Sequence, residues 1–179
     1  MKCIEELLLD KSLVSTYHHK LSEKNLIFYD TETTGILKDF SQILQCGSVL
    51  TDEGLNTLDE QNIGCAPLPW VIPQPMAMIT NKKIDLFKSN ISHYQMMKDL
   101  QMQWKQWSAE NPAIFITYNG HAFDEELVRR QFFWNLLEPY TTNTNGNGRL
   151  DLMLMIHNIA AFFSDEISMP LFEGGPGIS

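Results

Sequence analysis

The chain has 179 residues, is 44% hydrophobic, and carries 22 acidic against 13 basic side chains for a net charge of −9. That length and apolar content suffice for the core of one globular domain, and the acid excess excludes general attraction to a polyanion, so any nucleic acid must be held by a local patch. Cys3, Cys46 and Cys65 are odd in number and lack a Cys-x-x-Cys pattern, which argues against a disulfide framework or zinc site and for reduced thiols in a cytoplasmic protein.

In chain order, Ile4, Leu7, Leu8, Leu13 and Val14 recur at helical spacing, so residues 1–24 form a helical extension with its helix over 3–20. Glu5, Glu6 and Asp10 bracket Leu7-Leu8-Leu9, and the apolar run is too short for secretion or for spanning a bilayer; no membrane segment is expected. Tyr17, His18 and His19 read as a helix end or linker. Apolar and β-branched runs predict strands over 26–30, 43–51 and 58–65, with Asp52-Glu53-Gly54 as a turn. Pro67, Pro69, Pro73 and Pro75 fix an extended loop and exclude regular helix until Met76.

Residues 92–109 carry Met96, Met97, Leu100, Trp104 and Trp107 at spacings of three and four, an amphipathic helix whose tryptophans serve either the core or base stacking. A buried strand follows over 113–118, broken by Asn119-Gly120, and a helix over 123–137 ends before Pro139. A loop rich in Asn, Gly and Thr over 143–148 precedes a last helix over 150–163 with Asp151 in its first turn, and residues 171–179 read as a flexible tail. Strands clustered early and helices later predict an α/β fold, a mixed sheet flanked by helices.

The segment Asp30-Thr31-Glu32-Thr33-Thr34-Gly35 follows the apolar run Leu26-Ile27-Phe28-Tyr29. Side chains alternate along a strand, so Asp30 and Glu32 project from one face, where two carboxylates can grip one divalent cation. A bare Asp-x-Glu is more often a solvated turn, but here a strand precedes it and a third acid, Asp124, opens a helix that could reach the same sheet edge. Three uncompensated carboxylates repel one another, and bound cations relieve that. Mg2+ or Mn2+ suits all-oxygen ligands; two ions roughly 3.5–4 Å apart activate a water and neutralise a leaving oxygen in phosphodiester hydrolysis.

The opening segment resembles the first motif, Asp-x-Glu-Thr-x-Gly, of the DnaQ-type 3'-5' exonuclease superfamily. Tyr118-Asn119-Gly120-His121-Ala122-Phe123-Asp124-Glu125-Glu126 is similar to its second motif, in which an Asn precedes a Phe-Asp pair. The flanking Val128-Arg129-Arg130-Gln131-Phe132-Phe133, Leu137-Glu138-Pro139-Tyr140 and Arg149-Leu150-Asp151-Leu152-Met153 resemble bacterial exonuclease I, as does Ile72-Pro73-Gln74-Pro75-Met76-Ala77-Met78-Ile79-Thr80. The resemblance implies an RNase H-like domain over residues 25–170 that cleaves single-stranded DNA to nucleoside monophosphates. It implies Asp30, Glu32 and Asp124 as catalytic metal ligands. Thr33, Thr34 and Gly35 would then lie where the terminal nucleotide docks, with Asn119 and Phe123 either touching substrate or walling the site.

One departure bears on activity. The superfamily's third motif supplies a general-base His, or in one branch a Tyr, and a carboxylate five residues after the His. Downstream of Asp124 the only His is His157, and Phe162 stands five residues later. The chain reaches its Gly- and Pro-rich end before the stretch where that motif would fall, so the domain is expected to be incomplete at its C-terminal end and weakly active or inactive. Asp151, Asp165, Glu166 and His157 read as helix-end, solvated or packing residues rather than substitutes.

Two alternatives stay open: a noncatalytic module that binds a single strand, and an exoribonuclease acting on short RNA, since backbone contacts near a sugar could select a 2'-hydroxyl. Lys82-Lys83 and Arg129-Arg130 could steer a phosphate backbone or simply face water. The expected partner is single-stranded nucleic acid, DNA over RNA; no protein partner can be read from the residues.

Overall fold

The structure, a computed structural model, describes residues 24–162. The proposed helix over 3–20, the tail over 171–179 and the end of the 25–170 domain therefore lie outside the described residues.

Five strands, β1 (Asn25–Thr33), β2 (Ile43–Thr51), β3 (Thr57–Gly64), β4 (Ala113–Thr117) and β5 (Gly148–Asp151), form one sheet in the order β3-β2-β1-β4-β5. The first three run antiparallel as a meander, while β4 and β5 lie parallel to β1 on its other side. Among the described residues four helices accompany them: α1 (Pro75–Asn81), α2 (His93–Trp107), α3 (Asp124–Trp134) and α4 (Leu152–Phe162). This is the expected mixed α/β sheet.

Alternation along β1 sets its two faces. Ile27, Tyr29, Thr31 and Thr33 are buried, and Leu26, Phe28, Asp30 and Glu32 project the other way. Helix α2 covers the first face with Met96, Met97, Leu100 and Trp104, all fully buried, and α3 adds Leu127, Val128 and Phe132. Each such side chain contributes on the order of 1.5–3 kcal/mol of burial. Ser92 caps α2 by accepting the Gln95 N–H at 3.1 Å.

Trp104 settles against Tyr29, with ring centroids 4.8 Å apart, and donates its Nε1–H to Ser48 Oγ at 3.0 Å. Trp107 donates to Asp59 Oδ2 at 2.9 Å. Both tryptophans are core residues, so the base-stacking alternative for them falls away.

Three local readings need correction. The proline-rich path does extend through Gln74, but Pro75 then opens α1 and a 3₁₀ turn follows over Ile84–Lys88, where no helix is expected from the residues. Proline at a first helical position gives up an N–H that has no intrahelical partner anyway. The loop over 143–148 is entered by a 3₁₀ turn, Thr141–Asn143. Finally, Leu150 and Asp151 belong to the strand β5 rather than to the last helix, because β4 offers a free parallel edge that pairs Leu150 with Ile116 and Asp151 with Thr117.

Candidate active site

Strand β1 runs three residues past its expected end, so Asp30 and Glu32 lie within it, on one face as predicted. Opposite Asp30 in β2 stands Gly47, where even a Cβ would touch nothing, and the Asp30 carboxylate is left exposed. Beside it Phe28, Val49, Ile116, Tyr118 and Leu152 line an open apolar groove of about 430 Å3. Glu32 is half-buried, and its carboxyl is raised above the ordinary value by burial and by the charge of Asp30, with Lys83 opposing the shift. The Lys82-Lys83 pair thus divides: the charge of Lys83 acts on Glu32, and Lys82 forms the left-handed cap of α1.

Asp124 opens α3 and reaches the same strand from the opposite side. Its Oδ1 accepts the hydroxyl of Thr31, the buried residue between Asp30 and Glu32. Burial pushes its carboxyl up to about 6 in spite of that bond, and the charge on Asp30 adds to the rise. The acids therefore form a coupled series, Glu32 to Asp30 to Asp124, around the edge of one strand. They do not close into a cage: among the described residues no group of three or more His, Cys, Asp or Glu side chains is gathered to hold a metal ion.

Two buried carboxylates hold Asp124 in place: Glu125, to which the sequence gives no role, and Asp151, which the sequence reads only as a residue of a helix's first turn. Glu125 accepts from Tyr29 Oη at 2.8 Å, Thr142 Oγ1 at 2.7 Å and Arg149 Nη1 at 3.2 Å, tying the start of α3 to β1 and β5. Asp151 takes the N–H groups of Asn119 and His121, each at 3.0 Å, and those of Met153 at 3.0 Å and Leu154 at 3.3 Å. It fixes the turn before Asp124 and caps α4 at once. Burial alone would raise the Asp151 carboxyl, but the donated N–H groups of His121, Leu154 and Asn119 hold it below its usual range.

The turn itself needs Gly120, since a Cβ there would lie 2.5 Å from Thr117 Cβ.

A cavity of about 320 Å3 opens beside Glu32. Thr33, Gly35 and Phe123 line it, together with Thr31, Glu32 and Ile36. Thr34 does not: its backbone and hydroxyl bond to Gln42, and its carbonyl accepts the Gln74 N–H at 2.7 Å. Asn119 also lies elsewhere, exposed in a left-handed turn with φ 59°.

The opposite wall comes from α1 through Gln74, Met76, Ala77, Thr80 and Asn81. Asn81 Nδ2 donates to the Thr33 carbonyl at 2.8 Å, and Gln74 Oε1 accepts from the Ile36 N–H at 3.1 Å. A Cβ on Gly35 would come within 2.6 Å of Gln74, which is why the chain narrows there. The proline-rich segment was the available signal for this wall, although it did not show which side chains turn inward.

No family model matches the chain. It is 28% identical over 160 residues to exodeoxyribonuclease I of Buchnera aphidicola subsp. Schizaphis graminum, which covers 87% of this chain and 32% of that protein. A solved structure of exonuclease I without ligand superimposes with a TM-score of 0.76 at 21% identity, over 86% of this chain and 34% of the other. A zinc-bound complex of E. coli exonuclease I with single-stranded DNA does so with a TM-score of 0.73 at 21% identity, over 83% and 32%.

The resemblance to exonuclease I is therefore seen in sequence and in fold alike, and the RNase H-like architecture is shown. The chain spans about a third of the length of the relatives it matches. Among the described residues no helix is long and apolar enough to cross a membrane.

Proposed function

We propose that residues 25–170 form the nuclease domain of a 3'-5' exodeoxyribonuclease that removes nucleoside monophosphates from single-stranded DNA. The observation that carries this reading is the placement of Asp30 and Glu32 on one face of β1, with Glu32 lining the cavity beside Thr33, Gly35 and Phe123 and Asp124 bonded to Thr31 between the two acids.

The donor set suits hard divalent cations, Mg2+ or Mn2+: all ligating atoms are carboxylate oxygens, and two of the acids are held above their ordinary ionisation range by burial and mutual charge. Asp30 and Glu32 would hold the ions, with Asp124 completing the set. Two such ions, when bound, supply an activated water and neutralise the leaving oxygen.

The chain's own residues do the rest. Phe123 and Gly35 give the terminal nucleotide a flat wall and a close backbone, while Asn81 and Gln74 keep the end of β1 fixed against α1. Glu125 and Asp151 keep α3, and so Asp124, in register with β1. The free thiols Cys46 and Cys65 fit a cytoplasmic protein.

The noncatalytic binding module remains a specific second reading, favoured by the bond that engages Asp124 with Thr31 on the far side of β1 from Asp30. A 5'-labelled single-stranded oligonucleotide incubated with Mg2+ or Mn2+ separates the two. The nuclease shortens the labelled strand stepwise from its 3' end and loses this on Asp30→Ala; an oligonucleotide that is bound but stays intact supports the module. A short RNA degraded faster than DNA of the same sequence would move the substrate assignment to an exoribonuclease.

A further inference from the structure

The basic pair Arg129-Arg130 on α3 is split by the fold. Arg130 pairs with Asp39 and with Glu126, the latter at 2.6 Å, and so anchors α3 to the loop after β1. Arg129 forms no ion pair among the described residues. Its guanidinium lies 4.8 Å from the centroid of the Tyr140 ring, and its Nε is buried with no hydrogen-bond partner.

Around it Glu126, Arg130, Phe133, Trp134, Pro139 and Tyr140 shape an open groove of about 320 Å3, with the Glu126 carboxylate neutralised by Lys38 and Arg130. Three aromatic rings there face solvent: Phe133 is 67% exposed, Trp134 47% and Tyr140 46%. A helix that merely faced water would carry polar residues at these positions. An un-neutralised guanidinium beside bare ring faces is instead the combination that holds nucleic-acid bases and phosphate.

We propose that this groove is a second contact for single-stranded nucleic acid, with bases stacked on Trp134 and Phe133 and a backbone phosphate on Arg129. The inference rests on the reading of Asp30, Glu32 and Asp124 as the site that receives the strand's end. Helix α3 connects the two places, because Asp124 is its first residue and Arg129 follows about 7.5 Å along its axis. The loop after β1 also joins them, with Ile36 in the cavity wall and Asp39 on Arg130 at the groove.

In a chain of net charge −9, a guanidinium with no ion pair among the described residues gives a polyanion a local attraction that the overall charge does not. The open groove presents ring faces, which every base can use, rather than a closed pocket shaped for one side chain.

The test is fluorescence anisotropy in Ca2+ with a trinucleotide and with a deoxyoligonucleotide of about 15 nucleotides, comparing the full chain with Trp134→Ala, Phe133→Ala and Arg129→Gln, each first checked for unchanged melting. The wild type is expected to bind the longer strand more tightly. Trp134→Ala and Phe133→Ala should each weaken that binding about 10-fold while leaving the trinucleotide unaffected. Arg129→Gln should lower the slope of log affinity against log salt by about 0.7.

Unchanged affinity of all three variants for the longer strand overturns the groove and leaves the site at Asp30 standing. Equal losses for both lengths also overturn it, since the effect would then lie at the strand's end. An acidic peptide that binds the groove and resists displacement by the oligonucleotide assigns the surface to a protein partner and overturns the proposal. Failure of the wild type to bind either strand would end the functional reading together with this one.

Discussion

Replacing Asp124 by Asn should make the fold more stable above neutral pH while abolishing function. Burial and the charge of Asp30 raise this carboxyl from 3.8 to about 6. The folded state therefore holds the proton more tightly than the unfolded chain, so ionisation opposes folding. The penalty is absent below about pH 3.8, develops as pH rises from there to about 6, and is complete above that.

A rise of about 2 units at roughly 1.36 kcal/mol each gives a penalty on the order of 3 kcal/mol at alkaline pH. Asn keeps an Oδ1 to accept the Thr31 hydroxyl, so the substitution removes charge without orphaning that donor. Urea unfolding of both proteins in EDTA at about pH 8 should show Asp124→Asn more stable by about 3 kcal/mol, or by roughly 6–12 °C in Tm for a chain of this size. The gap should shrink toward zero as pH approaches about 4. A variant that is less stable at pH 8, or a gap that does not depend on pH, would refute the electrostatic reasoning.

Three further outcomes follow from the same geometry. Gly120→Ala should destabilise the fold by about 1–3 kcal/mol, because the new Cβ meets Thr117, a β-branched side chain with little freedom to yield; chemical denaturation measures it. Asp151→Ala leaves the N–H groups of Asn119, His121 and Met153 without their acceptor and should cost at least about 2 kcal/mol, so a loss below about 0.5 kcal/mol would show that water replaces the carboxylate freely. Burial lowers the ionisation of His93, which bonds Gln131 Oε1 at 2.7 Å through Nε2 and the Asn135 amide at 3.2 Å through Nδ1. Its stabilising contribution should be complete above about pH 6.5 and be lost as pH falls below that, and a His93→Gln variant should lack that slope in unfolding free energy.

Much of the fold was legible because its signals are local and periodic. Apolar and β-branched runs over 26–30 and 43–51 mark strands, and the three-and-four spacing of Met96 through Trp107 marks α2. What stayed hidden depends on partners remote in sequence. Strand β5 is only Gly148–Asp151, too short for a periodic signal, and exists because β4 offers it an edge. Helix α1 begins at a proline that reads equally well as loop.

The site divides the same way. Alternation puts Asp30 and Glu32 on one face, and Thr33, Gly35 and Phe123 do line the cavity. The direction from which Asp124 arrives is set by the packing of α3 against β1, with Glu125 bonded to Tyr29, and no spacing rule encodes it. For the same reason Thr34, adjacent in sequence to lining residues, bonds to Gln42 instead, and Asn119 lies exposed outside the cavity.

The account stands on Asp30, Glu32 and Asp124 sharing divalent cations, and Mn2+ binding followed by water-proton relaxation measures that most directly. The wild type should bind Mn2+ with Mg2+ competing for the same positions, and Asp30→Asn and Asp124→Asn should each weaken binding at least about 10-fold. Mn2+ affinity that is the same in the wild type and in both variants would contradict the account.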